Sequence, residues 1–125
     1  MSVFPTLRYQ DPDAAITLLR DAFGFTVAAA HRDGSGAVQH AELVHDGGAV
    51  LLGPRREGDQ FATGRAVTYV VVDDPDAHHA RAVAAGATVI MELVDQDYGS
   101  REYAAVDDEG NVWSFGTYRP GTPAS

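Results

Sequence analysis

Apolar and polar positions along the chain change period repeatedly, and the changes divide it into ten short elements. Val3 to Tyr9 is brief and rich in β-branched and aromatic residues, which suits a strand. Asp11-Pro12 then supplies helix-start chemistry, since an Asp side chain accepts from otherwise orphaned N–H groups and Pro fits the first turn. Ala15, Ile16, Leu19, Ala22 and Phe23 recur at helical spacing, with Asp13, Thr17, Arg20 and Asp21 on the other side, and Gly24 is a natural stop. Phe25 to Arg32, Ala37 to His45 and Ala49 to Gly53 read as three strands, separated by Asp33-Gly34-Ser35-Gly36 and Asp46-Gly47-Gly48. The order is βαβββ.

The same plan returns. Val67 to Val72 reads as a strand, Asp74-Pro75 opens a helix to about Ala85, and Gly86 ends it. Val89 to Val94, Glu102 to Val106 and Val112 to Tyr118 supply three further strands. The repetition reaches the residues themselves at an offset of 62 to 63 positions: Asp11-Pro12-Asp13-Ala14 becomes Asp74-Pro75-Asp76-Ala77, and Gly24-Phe25-Thr26-Val27 becomes Gly86-Ala87-Thr88-Val89. Asp46-Gly47-Gly48-Ala49-Val50 becomes Asp108-Glu109-Gly110-Asn111-Val112. Ordered matches at nearly one spacing point to a duplicated module, and two copies that each leave a face uncovered pair with one another. The expected organisation is a single domain over 1–125, with modules 3–53 and 66–118 joined by a polar linker, 54–65. The tail beyond Tyr118 is expected to fray.

Composition narrows the function. With 18 acidic and 9 basic side chains the net charge is −9, which argues against binding nucleic acid or an anionic membrane surface. No apolar stretch approaches the roughly 20 residues of a membrane span, and the start lacks the pattern of a secretory signal, so a cytoplasmic location is expected. The absence of Cys removes disulfides, thiolate metal sites and cysteine nucleophiles. No His-Glu-x-x-His, P-loop, Gly-x-Gly-x-x-Gly or Gly-x-Ser-x-Gly motif occurs.

A tandem βαβββ unit of this length resembles the vicinal oxygen chelate superfamily, which includes glyoxalase I, bleomycin-resistance proteins and extradiol dioxygenases. The likeness to its small glyoxalase/bleomycin-resistance-type members is carried by Asp11-Pro12-Asp13-Ala14-Ala15-Ile16, Ala22-Phe23-Gly24-Phe25, His40-Ala41-Glu42-Leu43, Ala82-Val83-Ala84-Ala85-Gly86-Ala87, Asp97-Tyr98-Gly99-Ser100-Arg101 and Asp107-Asp108-Glu109-Gly110-Asn111-Val112-Trp113. It spans residues 3–118. The resemblance implies an α+β fold whose two modules form an incomplete barrel around a cavity with helices outside, and commonly a homodimer. Metal-dependent members draw His, Gln or Glu ligands from the first and last strand of each module. The matching positions here are Phe4, Leu52, Val67 or its neighbour Ala66, and Ser114, none of which is a good divalent-metal donor. No metal or other cofactor is therefore expected.

Several side chains remain as candidates for ligand contact. Strand alternation puts His40 and Glu42 on one face, where they either line the cavity, orienting a ligand or sharing a proton, or form the solvated side of an outer strand. Tyr98, Ser100 and Arg101 give a loop the phenol, hydroxyl and guanidinium to hold a polar ligand, or merely suit a surface turn. Arg8 shares the parity of Phe4 and Thr6; pointing inward it needs an anionic partner, either a ligand carboxylate or phosphate or a structural ion pair. Leu52 and Ser114 complete the expected ligand-binding set, and Trp113 reads as core. His31, His45, His78 and His79 read as surface residues.

The leading expectation is a small-molecule binding protein without the usual metal site, sequestering an antibiotic or toxic metabolite in an apolar cavity with a few polar anchors. The alternative is a metal-dependent lyase or dioxygenase built around His40 and Glu42. The sequence leaves open whether the chain is an enzyme and names no ligand.

Overall fold

In a computed structural model, which describes residues 2–121, each half contains one helix and a four-stranded sheet. The first half runs β1 (Thr6–Tyr9), α1 (Pro12–Asp21), β2 (Thr26–Arg32), β3 (Val38–His45) and β4 (Gly48–Pro54). The second runs β5 (Val67–Val71), α2 (Pro75–Ala84), β6 (Thr88–Asp95), β7 (Arg101–Val106) and β8 (Val112–Gly116). The sheet orders are β1-β4-β3-β2 and β5-β8-β7-β6. In each, the first and last strands of the half are parallel neighbours and the remaining pairs are antiparallel.

The helix starts follow from the sequence chemistry. Asp11 accepts from the Ala14 N–H and Asp74 from the Ala77 N–H, each at 3.1 Å, with Pro at the first helical position. Gly24 and Gly86 leave the helices at φ +80° and +88°, a left-handed conformation that costs a glycine little. The pairing register carries the repeat further: Leu7 lies opposite Leu52, and Val70 opposite Phe115, both partners displaced by 63 positions.

β1 is shorter than its hydrophobic pattern predicts. Val3 is 88% exposed and Phe4 48% exposed, because Pro5 has no N–H to continue the ladder, although its carbonyl still accepts from Leu51. β8 likewise ends at Gly116, before Tyr118. Arg119, in the tail expected to fray, is held by Asp46 and Asp73 at 3.3 and 3.1 Å, whereas residues 122–125 of that tail lie outside the described residues.

Side chains facing the helices from both sheets fuse into one core, including Leu7, Ile16, Leu19, Phe23, Leu43 and Leu52 of the first half with Val70, Ala82, Tyr103, Trp113 and Phe115 of the second. Phe23 lies 4.8 Å from Phe115, and Phe25 5.9 Å from Trp113, between ring centroids. Trp113, with no exposed surface, is core as the sequence indicates. Two polar devices reinforce the joint. Buried Asp107 accepts from the Tyr9 hydroxyl at 2.7 Å and the Trp113 indole N–H at 3.2 Å, and from backbone N–H groups of Glu109 and Asn111. Glu109 then accepts from the Gln10 and Asp11 N–H groups at 2.7 and 2.9 Å.

The second device corrects the sequence expectation for His78. It does not face solvent: its Nε2–H donates to the Phe23 carbonyl at 2.8 Å and its Nδ1 accepts from the Tyr103 hydroxyl. The helical pattern of α2 alone cannot reveal this, because the partner groups come from α1's end and from β7. Burial holds the His78 imidazole below its usual pKa range, with the Phe23 carbonyl opposing the shift and His45 and Arg81 adding to it. Arg81 in turn donates to the Asp21 and Arg20 carbonyls.

These contacts generate two expectations. Asp107→Ala strands the Tyr9 and Trp113 donors and should cost roughly 3 kcal/mol in urea unfolding. His78 is depressed in the folded chain, so the unfolded chain takes up its proton first as pH falls. Stability should therefore decline as pH drops through about 6.5, the ordinary imidazole value, and level off below the folded value. His78→Gln should show a smaller loss between pH 7.5 and pH 5 when urea midpoints are compared.

Candidate functional site

Because each sheet spends its helix-side face on the common core, the opposite face of each is left open. Among the described residues the strands form two separate four-stranded sheets and no closed barrel, and each open face carries its own depression with lining residues from a single half.

On the first half, alternation puts Thr6 and Arg8 of β1, Leu51 of β4, and His40 and Glu42 of β3 on the open side, while Ala41, Leu43, Val50 and Leu52 are buried. A depression of about 280 Å³ is lined by residues including Arg8, His40, Gly53, Arg56 and Asp59. Arg8 lies flat over Gly53, where an added Cβ would come within 3.1 Å of its guanidinium. Its Nε donates to Asp59 at 3.3 Å, its Nη1 to the Thr6 hydroxyl at 3.0 Å, and its guanidinium carbon sits 5.7 Å from the Phe61 ring centre. The inter-module segment is thus folded back as a strap, with Arg56 also donating to Gln39. His40 Nε2 lies 2.9 Å from Glu42, and the His31 ring stacks 5.9 Å from that of His40.

On the second half a depression of about 380 Å³ is lined by Tyr69, Tyr98, Glu102, Ser114, Tyr118 and Pro120. The Tyr98 hydroxyl donates to Glu102 Oε1 at 2.7 Å, and this bond to a carboxylate, which favours the protonated phenol, pushes its pKa up to about 12. Tyr69 donates to the Tyr118 carbonyl at 2.7 Å, and the Tyr118 N–H donates to buried Ser100 at 3.1 Å, which fixes the tail across the sheet edge. Glu102 and Tyr69 fold over Gly116, where an added Cβ would come within 2.6 and 2.7 Å of them.

The sequence-derived candidates therefore divide. Arg8, His40 and Glu42 stand on one open face, and Tyr98 and Ser114 line the depression on the other. Leu52 is corrected: its parity turns the side chain into the core, leaving it only at the floor of the first depression, while Leu51 takes the open face. Arg101, expected to contact a ligand, has its guanidinium paired with Asp76 of α2 at 3.0 Å and Asp95 at 3.1 Å, and it holds the Asp76 carboxyl below the usual range. Sequence reasoning missed Glu102, Tyr69 and Tyr118. The repeat offers the clue for Glu102: Ala41 and Tyr103 occupy equivalent register positions, so His40 and Glu102 do as well. Among the described residues no group of three or more His, Asp or Glu side chains is arranged to hold a metal ion.

The family model for the Glyoxalase/Bleomycin resistance protein/Dioxygenase superfamily matches residues 3–115. An uncharacterised Mycobacterium bovis protein, Mb0911c, is 34% identical over 121 residues, covering 90% of this chain and 80% of that protein. The crystal structure of TioX from Micromonospora sp. ML1 superimposes with a TM-score of 0.80 at 33% identity, covering 95% of this chain and 99% of that one. A lactoylglutathione lyase from Agrobacterium tumefaciens shares the fold, with a TM-score of 0.71 at 22% identity and coverage of 93% and 92%. The chain belongs to this superfamily.

The strap geometry generates an expectation. Asp59→Ala should release the segment around Arg8, so that trypsin cuts after Arg55 and Arg56 several-fold faster than in the unaltered chain. Because the pair is partly exposed, the urea midpoint should move by less than about 1 kcal/mol equivalent.

Proposed function

We propose that this member of the glyoxalase/bleomycin-resistance superfamily is a small-molecule binding protein that acts as a homodimer, sequestering an antibiotic or toxic metabolite in the cytoplasm without a catalytic metal. The observation that carries the reading is the use of the two sheets: their helix-side faces are consumed by one core, and their other faces hold a few polar anchors among exposed apolar residues. Val67, 76% exposed at the start of β5, is the most prominent of these strand residues. Each depression alone is at or near the lower end of the roughly 300–1,000 Å³ of ligand pockets, and both are open. A second copy that sets one open face against another encloses a larger, water-poor hollow and covers the exposed Val67. Binding by enclosure needs shape and a few anchors, so it places no demand on the non-ligating side chains at Phe4, Val67 and Ser114. No helix is long and apolar enough to cross a membrane, which accords with a location in the cytoplasm.

A metal-dependent lyase or dioxygenase is the second reading, favoured by the His40–Glu42 pair with His31 beside it. It needs a third donor, which a facing copy would have to supply.

Sedimentation at micromolar concentration should give twice the chain mass, and Val67→Lys should shift the chain to monomer while leaving its circular dichroism unchanged. A screen of antibiotics and metabolites should raise the melting temperature of the dimer for at least one compound class. Elemental analysis of protein purified without chelator should find less than stoichiometric metal; one Ni, Zn or Fe per site would favour the second reading.

A further inference from the structure

The depression on the second half has a composition unlike the rest of the surface. Glu102 is only 6% exposed, yet among the described residues no Arg or His lies within ion-pair distance of it. The neighbouring Arg101 is spent on Asp76 and Asp95. Tyr98 satisfies one carboxylate oxygen, and no hydrogen bond from the described residues reaches the other, Oε2. No buried side-chain polar atom lacks a partner among the described residues, so Oε2 opens onto the depression, where a carboxylate with no cation beside it favours a ligand that brings a positive charge. Around it stand three phenol rings. Tyr98 and Tyr118 meet nearly at right angles, 81° apart with centroids at 6.1 Å, and form a corner; Tyr69 closes the third side, pinned by its bond to the Tyr118 carbonyl.

We infer that this depression, walled by Tyr69, Tyr98 and Tyr118 and based on Glu102, is a recognition site for an organic cation, namely a quaternary or fully alkylated ammonium group carried by the ligand. Aromatic faces attract such cations, and the attraction strengthens when both are out of water. The alternatives fit less well. An anionic group would meet the carboxylate, and a neutral group would leave it uncompensated. A primary ammonium demands three acceptors, and besides the open carboxylate oxygen and the Ser114 hydroxyl it would have to use phenol oxygens, two of which already bond to Glu102 and the Tyr118 carbonyl. An alkylated ammonium demands none. The chain's net charge of −9 draws cations toward it at long range.

This inference rests on the open-face reading above and specifies its ligand class. The test is calorimetric titration of the full chain with choline and, separately, with its uncharged carbon isostere dimethylbutanol. Choline should bind saturably and at least tenfold more tightly than the isostere. Glu102→Gln should reduce that preference several-fold, leaving the part carried by the rings. Tyr98→Ala should weaken choline binding tenfold or more, whereas Tyr98→Phe, which keeps the ring and drops the hydroxyl, should stay within about threefold; this contrast decides the matter if Glu102→Gln fails to fold. Equal binding of choline and the isostere, or no binding of either, overturns the inference. If a neutral or anionic compound from the screen still stabilises the dimer, only the cation assignment has failed; if none does and the chain is monomeric, the binding-protein reading has failed with it.

Discussion

A carboxylate removed from water must be met by donors, and Asp107 meets its own from both halves of the molecule. The Tyr9 hydroxyl comes from the first half, while the Trp113 indole and the turn after β7 come from the second. The bonds tie the two halves together beside the aromatic contacts of Phe23 and Phe25 with Trp113 and Phe115. His78 performs a related task at the other helix, joining the end of α1 to β7 through one neutral imidazole. With the halves held in this way, the outer faces of both sheets are directed away from the core.

The two outer faces have diverged chemically. The first presents a guanidinium held by a carboxylate of the strap, next to a His–Glu pair. The second presents a carboxylate with phenols, one of them, Tyr118, brought by the tail. On the first face the cation is already neutralised by Asp59, whereas on the second the Glu102 carboxylate has no ion-pair partner among the described residues. Two copies arranged about a twofold axis, with unlike faces opposed, would give two equal hollows, each with both kinds of anchor.

Much of the architecture was legible because it is written locally. Asp-Pro caps, stop glycines and strand alternation act over a few residues, and the duplicated order announces itself twice. The errors came from long-range partners. Pro5 ends the β1 ladder, a pairing effect that the apolar run Val3-Phe4 conceals. The ion pairs of Arg101 with Asp76 and Asp95 are invisible in the sequence because the first partner lies 25 residues away on α2. Leu52 was placed one position out of phase, and Leu51 is its open-face neighbour. Glu102 was passed over as an ordinary strand residue, since burial of a charge cannot be seen until the tyrosines around it are in place.

Gly53 and Gly116 occupy equivalent register positions in the two sheets, and each lies beneath the group that characterises its face: Arg8 over the first, Glu102 and Tyr69 over the second. A methyl group at Gly53 would make Arg8 shift slightly, and one at Gly116 would displace Glu102 and Tyr69 further. The absence of a side chain at these two positions thus sets how closely each overlying group can lie against its sheet.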